Sequence, residues 1–184
     1  MTALIYRLTP EIVAIATDTL ALNERGKPAL YKSKVYPLLH WRSVMCGTGN
    51  GNCIEDWFMR VHSGFIVVDI QHLNRFAAAA LRELGDKHQV DDSNTVTIYH
   101  FGYSTIHDQM TAYVYRSTHG FEPVKQVEGI GVKPPVAEDQ WPTAREGPGL
   151  DFADFALKIM KMQKKTDDQF WPVKIVVIGG EMQL

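Results

Sequence analysis

The sequence predicts a layered α+β fold, with two sheets packed face to face and helices on their outer sides. Three observations lead there. Short β-rich runs fill the N-terminal quarter and the middle of the 184-residue chain. Two consecutive helical patterns separate them, and a third follows near the end. Helices and strands therefore fall in blocks, where a parallel βαβ fold would alternate them. No internal repeat or linker interrupts the order, and the length suits one domain with a sizeable core.

The elements justify this order one by one. Ala3–Leu8 and Ile12–Thr17 read as strands, joined at Thr9-Pro10-Glu11 by a hairpin turn. Asn23–Pro28 reads as a polar loop. Tyr31–Leu38 and Ser43–Cys46 are two further strands, and Gly47–Gly51 is a glycine-rich turn. Asn52 is placed as an N-cap with Glu55 three residues on. Ile54, Trp57, Phe58 and Val61 then make one apolar helix face. The second helix spans Asp69–Leu84, with Gly85 as its stop. Thr95–Phe101 and Thr111–Ser117 are strands about a turn at His107–Gln109, and Phe121–Val127 and Ile130–Val132 are weaker ones. Lys133–Pro148, rich in proline, glycine and charge, reads as a long loop. Asp151–Lys165 is the third helix, and Pro172–Ile178 is a buried closing strand.

Composition excludes several functions. A net charge of −2 offers no electrostatic footprint for nucleic acid or an anionic membrane. No apolar run approaches the roughly 20 residues that span a bilayer. Met1–Pro10 lacks the basic head and apolar stretch of a signal peptide, so the expected compartment is the cytoplasm. Cys46 and Cys53 are too far apart in sequence for a C-x-x-C motif and read as packing residues. The seven histidines are scattered singly, so no metal site is expected. Gly47–Gly51 lacks the Gly-Lys-Ser/Thr ending of a phosphate loop, and no cofactor is expected. Lys158, Lys161, Lys164 and Lys165 read as the wet face of the last helix. Trp141 and Trp171 read as core or interface packing.

The chemistry sits at the N-terminus. Removal of Met1 would leave Thr2 first, its hydroxyl beside a free α-amine. An alcohol needs a base, and an α-amine of pKa about 7.7–8.0 can serve as one. A nearby lysine would favour the neutral amine, and an aspartate would hold that lysine charged and oriented. Asp18, ending the second strand, and Lys34, in the third, supply these groups.

In this order and spacing the chain resembles the proteasome-type N-terminal nucleophile (Ntn) hydrolases. It has a leading threonine, a second strand Val13–Asp18 ending in aspartate, and Lys34–Leu38 as a lysine leading an apolar strand. Cys46–Gly49 then supplies a glycine before the first helix, and Asp151–Gly180 matches the family's last helix and strand. The resemblance implies a four-layer αββα sandwich of two mainly antiparallel sheets. It implies Thr2 as nucleophile, Asp18 and Lys34 as its electrostatic partners, and the Gly47 N–H as oxyanion donor. Asp168, or equally Asp167, stands for the family's supporting aspartate. The implied activity is a threonine-type peptidase or amidohydrolase acting on a peptide or amide. The implied assembly is a homo-oligomeric ring or pair of rings, with an ATPase as a possible partner.

Two departures keep an alternative open. Ala3 stands where the family usually has a second threonine, and Gly129–Pro135 lacks the serine that supports the threonine amine. A non-catalytic assembly or scaffold protein is the rival expectation.

Overall fold

Small and branched residues at the N-terminus form adjacent strands, Leu4–Leu8 (β1) and Val13–Asp18 (β2). Their turn closes on Thr9, whose N–H donates to the Ile12 carbonyl at 2.9 Å. Its hydroxyl accepts the Ile12 N–H at 3.1 Å. The computed structural model describes residues 2–23, 27–64, 66–137, 141–142, 152–170 and 182–183. The chain divides into two compact units. One comprises Met1–Arg7, Ala14–Lys34 and Gly129–Leu184, the other Leu8–Val13 and Val35–Glu128.

The first unit holds a four-stranded sheet in which β1 and β2 are flanked by two later strands. Leu20–Leu22 (β3) and Pro28–Tyr31 (β4) pair beside it as an antiparallel hairpin. In the second unit lie Val35–Leu38 (β5), Ser43–Gly49 (β6), Val96–Ser104 (β7), Gln109–Arg116 (β8) and Pro123–Lys125 (β9). Gly129–Lys133 (β10) and Met182–Gln183 (β11) return to the first sheet, whose order is β10-β1-β2-β11. Met182 pairs with Asp18 and Gln183 with Thr17.

One helix, Phe152–Phe170 (α3), covers a face of that first sheet. Its Phe155, Ala156, Ile159 and Met160 pack on Ala3, Ile5 and Ala16. The small Ala3 and Ala16 let the helix approach closely, and burying a side chain such as Ile159 is worth about 1.5–3 kcal/mol. Trp141 joins this core edge-on to Phe155, its indole N–H donating to the Val136 carbonyl at 3.0 Å. Its reading as a packing residue holds.

The second unit is a five-stranded antiparallel sheet in the order β5-β6-β7-β8-β9. Gly51–Met59 (α1) and Ile70–Lys87 (α2) cover one face. The expected α1 stripe is buried at Ile54, Trp57 and Val61, with Phe58 packed at its margin. Leu73, Ala77, Leu81 and Leu84 of α2 join it over Met45, Ile98 and Tyr115. The other face of the sheet carries Tyr99, Phe101, Ala112 and Val114, all buried.

Several boundaries move for physical reasons. The N-cap of α1 is Asn50, not Asn52: the Asn50 side chain accepts the Cys53 N–H at 3.1 Å. Gly47–Gly49 is not a turn but the end of β6, and the positive φ of 106° falls at Gly49. Gly85 does not stop α2, which runs on to Lys87. Glycine is there for Phe121, whose ring would lie 3.1 Å from an added Cβ. Asp69 lies just outside α2 as its N-cap, accepting the His72 N–H at 2.8 Å. A π-helical turn at Arg60–Gly64 extends α1. Pro172–Ile178, Trp171 and most of the Lys133–Pro148 loop lie outside the described residues.

Candidate active site around Asp18 and Lys34

The expected strand Tyr31–Leu38 is broken. β4 ends at Tyr31, β5 begins at Val35, and Lys34 lies in the connection between them. The Lys32 N–H donates to the Thr19 carbonyl at 2.9 Å, which ties the connection to the end of β2. Freed from strand alternation, Lys34 turns its side chain inward and is only 7% exposed.

Its ammonium meets both Asp18 carboxylate oxygens, Oδ1 at 3.0 Å and Oδ2 at 2.9 Å. It also donates to the Leu20 carbonyl at 2.6 Å. Asp18, 3% exposed, accepts a further hydrogen bond at Oδ1 from the Ala3 N–H at 2.8 Å. The Asp18 N–H donates in turn to the Ala3 carbonyl at 3.2 Å. The carboxylate is thus a joint between the lysine and the residue that follows Thr2. Burial raises the Asp18 carboxyl above its ordinary pKa, opposed by the charge and hydrogen bonds of Lys34 and by the Ala3 N–H. Burial likewise lowers the Lys34 ammonium, opposed by Asp18. Thr2 itself is buried, and its hydroxyl makes no hydrogen bond among the described residues.

Gly47 belongs to the second unit. β5 starts at the residue after Lys34 and pairs Val35 with Cys46, the residue before Gly47. Pairing to β7 continues through Gly47, opposite Ile98. Gly47 has no positive φ among the described backbone. What requires glycine is α1, because an added Cβ would lie 2.9 Å from the Ile54 side chain.

Compared with solved structures, the chain is similar to Anbu (ancestral beta-subunit) from Yersinia bercovieri, with a TM-score of 0.65 at 12% identity. That match covers 99% of this chain and 79% of the other. It is also similar to eukaryotic HslV from Trypanosoma brucei, with a TM-score of 0.59 at 11% identity. There the match covers 100% of this chain and 97% of the other. The fold is that of the proteasome-type Ntn hydrolases. At these identities the likeness shows the fold and assigns no activity. No protein-family model and no curated protein matches the chain.

Within this proteasome-type fold, the structure brings Asp18 and Lys34 together and ties Asp18 to the main chain beside Thr2 and Lys34 to the Leu20 carbonyl. Asp167 and Asp168 fall in the C-terminal part of α3, and their side chains lie outside the described residues. Gly129–Lys133 is strand β10, beside β1. Sequence reasoning missed the Leu20 carbonyl and the Ala3 amide, since main-chain partners leave no residue-type signal. It also missed Thr17, next to Asp18 and fully buried, whose hydroxyl has no partner among the described residues. Cys46 and Cys53 are free and buried, and burial pushes the Cys53 thiol up to about 11. Among the described residues no group of three or more His, Cys, Asp or Glu side chains could hold a metal ion.

Proposed function

We propose that the chain is an N-terminal threonine hydrolase of peptides or amides, active once Met1 is removed. The observation that carries this reading is the buried Lys34–Asp18 pair hydrogen-bonded to the Ala3 amide, one residue from Thr2. A buried ion pair is a costly feature that packing of the sheet alone does not need. Its position one residue from Thr2 supports a role beside an N-terminal nucleophile.

In this mechanism the Thr2 α-amine takes the hydroxyl proton while Oγ1 attacks the substrate carbonyl carbon. The oxyanion that forms is held by a backbone N–H, a role the family resemblance gives to Gly47. The amine then passes its proton to the leaving nitrogen, the C–N bond breaks, and an acyl ester remains on Thr2. Water, deprotonated by the same amine, attacks the ester and releases the acid. The Lys34 charge favours the neutral, basic form of the amine, and Asp18 fixes the lysine in place. By the same resemblance, the proposal includes assembly into a homo-oligomeric ring or paired rings, with an ATPase partner as a further element. No cofactor is needed for these steps.

A second reading, a non-catalytic assembly or scaffold protein, is favoured by one observation. The segment that would carry the supporting serine reads Gly-Ile-Gly-Val-Lys along β10. Intact mass of protein from its native host, before and after a β-lactone or epoxyketone probe, separates the two. Loss of Met1 and an adduct abolished by Thr2→Ala supports the hydrolase. A retained Met1, or a free Thr2 that takes no adduct, supports the scaffold.

A further inference from the structure

We propose that His40 and His62 form a surface site for one divalent transition-metal ion of the zinc class, each giving one ring nitrogen, with water completing the coordination. They stand twenty-two positions apart in sequence, where no motif spacing announces them. The fold of the second unit brings them together, with ring centroids 5.6 Å apart and planes at 82°. His40 lies in the 3-10 helical turn Leu39–Trp41 that follows β5. His62 lies in the π-helical turn Arg60–Gly64 that extends α1, a kind of irregularity that recurs at functional sites. Each backbone is anchored by a buried neighbour, Trp41 for the one and Val61 for the other. Each ring also has an aromatic wall behind it. His40 meets Trp41 edge-on at 6.2 Å, and His62 packs on Phe58 at 5.4 Å. On the open side both residues are exposed, and neither has a hydrogen bond or ion pair among the described residues. By contrast, His72, His88, His100 and His119 each have a ring nitrogen already engaged.

The spacing suits a shared ion. Zinc sits about 2.0–2.1 Å from an imidazole nitrogen, hence roughly 3.2 Å from the ring centroid, so two rings at a tetrahedral angle have centroids about 5.2 Å apart. The observed 5.6 Å is a small swing of either exposed ring away from that value. Rotation about each metal–nitrogen bond leaves the interplanar angle free, so the edge-to-face arrangement is no obstacle. Imidazole is a ligand for zinc, copper and nickel, whereas magnesium and calcium take oxygen, and this sets the class of ion. Two protein ligands are fewer than the four of a closed structural zinc site, so the ion stays exchangeable. Once bound, it ties the turn after β5 to the end of α1, and an ion held only by the folded state stabilises that state. The site is independent of the hydrolase reading.

The test is calorimetric titration of the chelator-treated full chain with zinc chloride near neutral pH, beside His40→Ala, His62→Ala and, as an exposed control, His107→Ala. Binding at least about 10-fold weaker in each of the first two variants, and unchanged in the third, supports the site. Imidazole nitrogen NMR of the unsubstituted chain gives a readout that no variant's folding can confuse. The His40 and His62 signals should shift together on adding zinc and return with chelator. Thermal melts should rise with zinc for the parent and for His107→Ala, and stay level for the other two. Equal affinity in all four proteins, or shifts spread over the other histidines, means an adventitious ion only and overturns the proposal. Loss of binding in one of the two variants without the other also overturns it, because a shared ion needs both rings.

Discussion

Replacing Lys34 with methionine removes the cation from a pair in which both partners are nearly inaccessible to water. The methionine retains the apolar stem, so packing changes little, while the Asp18 carboxylate loses a charged donor from both oxygens. One hydrogen bond to Asp18 survives, from the Ala3 N–H. Breaking a buried pair by removing one member costs about 3–5 kcal/mol, because the remaining charge is stranded. For a chain of this size that corresponds to a fall in Tm of roughly 6–20 °C. The cost should depend on pH, and its sign follows from Asp18. Without the lysine, burial leaves the folded-state pKa of Asp18 above its unfolded value, so the variant is most stable when Asp18 is protonated. Its deficit is therefore small near pH 4 and grows as pH rises towards neutrality. Asp18→Asn in the same chain removes the stranded charge and should recover part of the loss at pH 7. Urea denaturation of the three proteins at pH 4 and pH 7 measures all of this. A loss below about 1 kcal/mol at pH 7, as for an exposed pair, would refute the reasoning, and so would a deficit independent of pH.

His100 lies wholly in the second core. It accepts the Trp57 indole N–H at 2.7 Å and is ringed by Trp41, Tyr115 and its β8 neighbour Tyr113. None of these side chains carries a charge at neutral pH. Burial pushes its pKa down to about 3. A folded-state pKa below the unfolded value gives stability that is present above about pH 6.5 and lost as pH falls. Urea midpoints should therefore show a loss of up to about 1.4 kcal/mol per pH unit between there and pH 3, and His100→Gln should flatten that dependence. Gly49→Ala places a Cβ 1.8 Å from the Thr95 carbonyl oxygen at a φ of 106° and should cost several kcal/mol, on the order of 3 or more, or prevent soluble expression. Gly64→Ala, with no neighbour nearer than the Arg60 Cγ at 3.8 Å, is the matched control, expected within about 1 kcal/mol of the parent in thermal melts.

What the sequence discloses about this fold depends on whether the signal is periodic. The α1 and α2 stripes and the β7–β8 pair are legible because each repeats an apolar period over several turns or residues. The errors fall where one residue has two possible jobs. Gly85 could end a helix or make room for a ring, and only the position of Phe121 decides for room. Asn50 and Asn52 both suit a cap, and the strained φ at Gly49 makes Asn50 the first residue able to open the helix. The run Tyr31–Leu38 breaks at its polar Lys-Ser-Lys stretch, residues 32–34, and the partner that holds Lys34 there is sixteen positions away in sequence.

The site follows the same logic at longer range. Thr2, Asp18 and Lys34 are legible as candidates because a nucleophilic hydroxyl, an amine and a charge pair are chemical types, and types can be read from letters. The way they are joined is not legible, since it runs through the main chain. The Ala3 amide, just before β1, and the Leu20 carbonyl, at the start of β3, are the groups that hold the Asp18–Lys34 pair, and any residue could have supplied them. That explains why Ala3 can stand where the family usually has a threonine. Its contribution to the pair is an N–H, which alanine provides as well, together with a methyl group small enough to let α3 close over it. The substitution that looks like a departure in the sequence therefore leaves these main-chain contacts intact. The serine missing from β10 is different in kind, because no main-chain group replaces a hydroxyl donor there by default. On the proposed mechanism the Thr2 amine carries the proton, and Lys34 acts through its charge.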